Sequence, residues 1–173
     1  ALGLLLRASG AGLKVFFCQF IKSQGSSELT ALQEKFPDVV SRQYGSGRLF
    51  TRGHKPCGKD VQAAQTGLAE LKQITSSGEY DVVIADEINV AVKLGLLETG
   101  AVCKLIAEKA KHVELVLTGR DAAHKKIQEL ITSGEGLPEG VDLKDRFIYY
   151  VGPVDPVRDE VVGPAGPTTS TRM

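Results

Sequence analysis

Two adjacent acids, Asp86 and Glu87, follow directly on the apolar run Tyr80 to Ala85 (YDVVIA). Such a run reads as a buried strand. Carboxylates at its C-terminal end stand where open α/β sheets bind their ligands. Hard carboxylate oxygens suit Mg²⁺, which binds through one or two acids and fills its shell with water and phosphate oxygens. The competing reading is two acids that cap a strand and begin a turn. Cys18, Cys57 and Cys103 form no CxxC pair and lie far apart, so they read as free thiols rather than a zinc site or a disulfide framework. Free thiols fit a reducing cytoplasm.

The elements that must position the acids follow from the pattern along the chain. Residues 1–9 read as a helix stopped by Gly10 and Gly12. Lys14 to Ile21 (KVFFCQFI) is a buried strand, and Glu28 to Phe36 is a short helix closed by Pro37. Residues 38–60 hold short strand-like pieces and many glycines, and Asp60 is the expected N-cap of a helix over Val61 to Thr75. After YDVVIA come a helix over Thr99 to Lys111 and a strand over His112 to Thr118 (HVELVLT). This alternation predicts a parallel sheet flanked by helices. Beyond residue 120 the texture changes: a helix over Ala122 to Thr132, a Gly/Pro-rich loop, a strand at Phe147 to Val151 (FIYYV), and a tail too rich in proline for a long helix.

Length and charge narrow the function. The 173 residues suffice for one domain with a real core. Lys+Arg and Asp+Glu both number 21, which argues against broad nucleic-acid or anionic-membrane binding and requires any anion site to be local. Arg7 interrupts the apolar start, which lacks the basic region of a signal peptide, and no stretch approaches a membrane span.

Three segments carry a resemblance to a known family. ALGLLLRASGAGLKVFFCQFIKS (residues 1–23), DEINVAVKLGLL (86–97) and LVLTGR (115–120) occur in order and at fitting spacing. Together they resemble the corrinoid adenosyltransferases of the P-loop ATPase class, over about residues 1–120. The resemblance implies a RecA-like parallel sheet with flanking helices. It also implies transfer of the adenosyl group of ATP to the cobalt(I) of a corrinoid, with release of triphosphate. Glu87 and Asp86 would then serve Mg²⁺, and Arg7, whose forked guanidinium suits phosphate oxygens, would lie near the phosphates. A solvated helix charge is the other reading of Arg7. Phe50, in YGSGRLFTRG (44–53), matches an aromatic of the loop over the corrinoid, while Arg52 stands near where several members carry Trp. Core packing is the other reading of Phe50. ATP and corrinoid are the implied partners, and a homodimer is compatible.

The family's Gly-rich loop with Lys-Thr is expected immediately before Ala1, together with the central strand that feeds it. On this reading the chain is a fragment truncated at its N-terminus that lacks its P-loop, and it is expected to be inactive as it stands. GPAGPTT (163–169) has no Gly-Lys pair and does not replace the loop.

A second resemblance begins at residue 117. LTGRDAAHKKIQELITSGEGLP, FIYYVGPVDPV and VVGPAGPTTSTRM look like the C-terminal (β) part of class I iron–sulfur fumarases and tartrate dehydratases. It implies a hydro-lyase in which Arg120, His124, Thr168 and Arg172 bind a dicarboxylate, with Thr168 as the base that removes a proton next to a carboxylate and His124 also among the catalytic residues. The family's [4Fe–4S] cluster would be held by a missing partner domain, the fumarase α part. A surface His and a Pro/Thr-rich tail are the alternative readings. The two resemblances overlap at LTGRDA, so the chain reads as a chimera: residues 1–120 adenosyltransferase-like, 121–173 fumarase-like.

Overall fold

The computed structural model describes residues 1–22, 25–46, 56–119 and 148–151. In it the apolar runs become strands β1 (Val15–Phe20), β2 (Val40–Tyr44), β3 (Val82–Asp86), β4 (Glu114–Thr118) and β5 (Ile148–Val151). They form one sheet of order β2-β1-β3-β4-β5, with every neighbouring pair parallel. Five helices accompany it among the described residues: α1 (Leu2–Gly10), α2 (Ser27–Lys35), α3 (Gly58–Ser77), α4 (Ile88–Lys93) and α5 (Thr99–Glu108). The expected α/β architecture with a parallel sheet and flanking helices is present. No described helix is long and apolar enough to cross a membrane.

Parallel strands in the middle of such a sheet bury both faces, which is why β1 and β3 read as unbroken apolar runs. Every residue of β1 is buried. Val15, Phe17, Val82, Ile84 and Val116 pack with Leu5 and Ala8 of α1 and Leu29 and Leu32 of α2. Phe16, Cys18, Phe20, Val83, Ala85, Leu115 and Leu117 pack on the other face with Leu68 and Leu71 of α3 and Leu105 and Ile106 of α5. Burying each large apolar side chain contributes roughly 1.5–3 kcal/mol. Residues 11–14 are a short link between α1 and β1. Because α1 also packs on β1, it must run back along the strand, with its first residues at the carboxyl edge of the sheet.

Element boundaries depart from the sequence expectation where side chains compete for the backbone. Helix α3 begins at Gly58 with Cys57 as N-cap, and Asp60 stands at its third position instead of capping it. The Asp60 carboxylate reaches back to accept the Cys57 N–H at 2.7 Å, the geometry of a capping box. Helix α5 stops at Glu108, short of Lys111, and the Ala110 N–H then donates to Thr75 O at 2.9 Å, tying the chain to α3. Tyr80 precedes the strand and sets its ring edge-on against Phe16, with centroids 5.5 Å apart.

Helix α3 approaches β2 through Gly67, where a Cβ would lie 2.4 Å from Cγ of Tyr44. Gly67→Ala should therefore lower stability by about 1–2 kcal/mol, since overpacking of this kind outweighs the roughly 1 kcal/mol that Ala gains over Gly in a helix. In a Tyr44→Ala background the same substitution should stabilise. Urea unfolding of the four variants measures both signs, and a stabilising Gly67→Ala in the native background would contradict the contact.

Candidate functional site

The register of the sheet brings four polar residues into one row at the carboxyl edge. Gln19 lies opposite Gln43 on β2 and opposite Asp86 on β3. Thr118 continues the row on β4, one place beyond the Ala85–Leu117 pair. These side chains bond in sequence. Gln43 Nε2 donates to Gln19 Oε1 at 2.9 Å and to Ser26 Oγ, at the N-cap of α2, at 3.2 Å. Gln19 Nε2 donates to Asp86 Oδ2 at 3.1 Å, and Thr118 Oγ1 donates to Asp86 Oδ1 at 2.6 Å. Gln19 is 1% exposed and Thr118 4%, so each would carry an unmet polar group without this chain of bonds.

Asp86 is thus oriented from both sides while each of its oxygens keeps a lone pair for a further partner. Glu87 follows in the left-handed region, at φ 62°, as N-cap of α4. Thr118 Oγ1 also accepts the Glu87 N–H at 3.1 Å. One hydroxyl therefore fixes the carboxylate of Asp86 and the backbone of Glu87. The Glu87 carboxylate makes no hydrogen bond among the described residues and is half-buried. Asn89, two residues on, is buried with its Nδ2 unpartnered among the described residues.

The donor set fits Mg²⁺: two adjacent hard carboxylates, one of them oriented, leaving room for substrate oxygens and water. No group of three or more His, Cys, Asp or Glu able to hold a metal ion occurs among the described residues. A cation here would complete its shell from a ligand, as Mg²⁺ does with phosphates. Beside the row, a hollow of ≈ 370 Å³ is lined by Gln43, Gly45, Lys59, Gln62 and Thr66, among others.

Charge around the row is uneven. Lys22, just past β1, pairs with Glu28 of α2 at 2.7 Å. The hydrogen bond to Glu28 raises the Lys22 pKa against the opposing effect of burial, and the Asp86 and Glu87 charges raise it further. The Glu28 carboxyl is lowered chiefly by its hydrogen bond from Lys22. Burial pushes the Cys18 thiol well up and the Asp86 charge adds to this, so Cys18 is a core residue and no nucleophile.

Of the residues expected from sequence, Asp86 and Glu87 meet at this edge. Arg7 is exposed in the last turn of α1 and forms no ion pair among the described residues. Its Cα stands about 7.5 Å along the helix from Leu2, although helical side chains lean back toward the N-terminus. Phe50, Arg120, His124, Thr168 and Arg172 lie outside the described residues, as does the helix expected over 122–132. Sequence reading missed Gln19, Gln43, Thr118 and Lys22. The available signal was Gln19, a polar residue inside an otherwise apolar strand, which needs a buried partner.

Residues 1–133 match the family model for ATP:corrinoid adenosyltransferase BtuR/CobO/CobP. A corrinoid adenosyltransferase of Pseudomonas aeruginosa is 32% identical over 135 residues, covering 78% of this chain and 66% of that protein. One from a Sinorhizobium species is 28% identical over 137 residues, covering 77% of this chain and 64% of its own length. The chain thus spans just under two thirds of the length of these relatives. A separate match is to the aerobic class I fumarate hydratase of Escherichia coli, 45% identical over 58 residues, which are 34% of this chain and 10% of that enzyme.

Thr118→Val keeps the shape of the side chain but removes the bridge, leaving the Asp86 oxygen and the Glu87 N–H short of a partner. Stability should fall by about 1–3 kcal/mol, and Thr118→Ser should recover most of it. Denaturant titration of the two variants checks this, and equal losses for Val and Ser would show that packing, not the hydroxyl, matters.

Proposed function

The chain belongs to the ATP:corrinoid adenosyltransferase family, and from that premise we propose that its acid edge holds Mg-ATP for transfer of the adenosyl group to the cobalt(I) of a corrinoid. The observation that carries this reading is the oriented Asp86 at the carboxyl edge of a parallel sheet, beside a Glu87 carboxylate that is unbonded among the described residues. The reaction breaks the bond between the 5′ carbon and the triphosphate oxygen and joins that carbon to cobalt. The reduced cobalt is itself the nucleophile, so the protein needs no general base. Its task is to hold two substrates in line and to stabilise the charge on the departing triphosphate.

The residues of the site divide that task. Glu87, and Asp86 directly or through water, would hold Mg²⁺, which when bound neutralises polyphosphate charge. Thr118 and Gln19 keep Asp86 from rotating away. Arg7 serves the phosphates from the α1 side, and Phe50 contacts the corrinoid. On this proposal residues 1–120 are the adenosyltransferase unit and 121–173 a fumarase-like segment, and the free thiols of Cys18, Cys57 and Cys103 are compatible with a reducing cytoplasm. A second reading, dicarboxylate binding by Arg120 and Arg172 as part of a hydro-lyase, rests on the 58-residue match to fumarate hydratase.

Titration calorimetry of the whole chain with Mg-ATP tests the first reading. Native protein should bind, and Glu87→Ala should weaken binding on the order of tenfold or more, as loss of metal-site residues does. Absence of binding at millimolar ATP would confine the family assignment to ancestry. Heat released by fumarate or malate, and lost in Arg120→Ala, would favour the second reading.

A further inference from the structure

The turn that leaves β1 is strained. Ile21 has φ 75°, in the left-handed region that β-branched residues avoid. The Lys22 N–H donates to Phe20 O at 2.9 Å, so residues 20–22 close a γ-turn of the rarer, strained hand with Ile21 at its centre. The end of β2 presses on this turn. A Cβ at Gly45 would lie 2.2 Å from Lys22 O and 2.3 Å from Ile21 O, so only glycine lets the two backbones approach so closely. Strain of this kind persists where its surroundings enforce it, and it gathers at ligand sites.

The turn places Lys22 beside the carboxyl edge three residues after Gln19, which bonds Asp86. There Lys22 bonds the Glu28 carboxylate at 2.7 Å, while the charges of Asp86 and Glu87, at the end of the adjacent strand, act on it without contact. The ion pair with Glu28 is open to water, with side chains 42% and 26% exposed, and exchanging its partner is therefore cheap. A polyphosphate brought to this acidic edge with Mg²⁺ carries more negative charge than one divalent cation offsets. Its remaining oxygens need donors that the acids cannot supply, whereas an ammonium offers three.

We propose that Lys22 is a polyphosphate-binding cation of this site, leaving Glu28 to engage phosphate oxygens of the Mg-bound substrate and of the triphosphate product. This rests on the Mg-ATP reading given above for Asp86 and Glu87. Glu28 is then the resting partner of Lys22, and the γ-turn at Ile21 is the device that keeps the ammonium over the edge.

Calorimetry with Mg-tripolyphosphate and with Mg-ATP, on the full chain, tests it. Lys22→Gln should weaken both ligands about tenfold, the loss expected for one charge-assisted contact. Lys22→Arg should retain most of the affinity, and Glu28→Gln, which frees the ammonium, should tighten both. Melting temperatures close to that of the native chain would show that folding is intact; should Lys22→Gln fail to fold, Glu28→Gln decides alone. Native Mg-ATP binding that Glu87→Ala abolishes but Lys22→Gln and Glu28→Gln leave unchanged would overturn the role of Lys22 and keep the acid edge. Tripolyphosphate binding that depends on Lys22, with Mg-ATP binding indifferent to Glu87→Ala, would support Lys22 and sink the Mg reading. Native protein that binds neither ligand would overturn both.

Discussion

A carboxylate half-buried at the edge of a sheet needs hydrogen-bond donors to offset the hydration it loses, and that constraint organises the whole site. Asp86 meets it with donors from both neighbouring strands, Gln19 on β1 and Thr118 on β4. Those donors reach it only because the strands are parallel and in register, with Gln19 opposite Asp86 and Thr118 at the matching end of β4. A one-residue slip of β1 or β4 would turn the donor to the opposite face of the sheet. Register, fixed by the apolar residues beneath, is thus what aims the acid. Packing of Phe17, Ile84 and Val116 against α1 and α2 sets chemistry that lies beyond their ends.

How much of this could be read in advance depended on whether a segment carried its own signal. The runs KVFFCQFI, YDVVIA and HVELVLT announced β1, β3 and β4, because strands buried on both faces must be apolar throughout. The acid pair could be read because two charges end such a run abruptly. β2 was harder: VSRQY is polar and becomes a strand only by pairing with β1. Helix α4 spans six residues and carries no composition signal of its own, and the left-handed Glu87 that starts it is a tertiary feature. Capping by Asp60 showed a similar limit, since an acid near a helix start serves equally as N-cap or as the third residue of a capping box. Thr118 and Gln19 could be named as polar residues in strands, but nothing local says that they share one acceptor across β3.

The site also shows how strain and charge divide their roles. Glu87 and Ile21 are the two non-glycine residues with positive φ among those described, and both sit where a strand ends at the carboxyl edge. The backbone at Glu87 is secured by Thr118, and that at Ile21 by the close approach of Gly45. In each case a neighbouring strand enforces a conformation that the residue itself disfavours. The two turns present opposite charges, an acid from β3 and an ammonium from β1, on adjacent strands. Paired opposite charges of this sort suit a ligand that is itself composite, a metal ion with its polyphosphate.

The fifth strand raises the question of why residues 148–151, so far along the chain, join this sheet at all. Without them β4 would be an edge strand with a buried apolar centre, Leu115 to Leu117, and unpaired N–H and C=O groups along one side. Such an edge recruits whatever extended segment can reach it. Residues 148–151 (IYYV) are β-branched and aromatic, a composition that favours strands. They pair with β4 in parallel, Leu115 opposite Ile148 through Thr118 opposite Val151. Pairing of this kind follows from edge chemistry and from the strand propensity of FIYYV, whatever the ancestry of the segment. The same pairing places the backbone of Val151 opposite Thr118, so the strand that holds Asp86 from one side is itself held from the other, and the polar row no longer ends at an open edge.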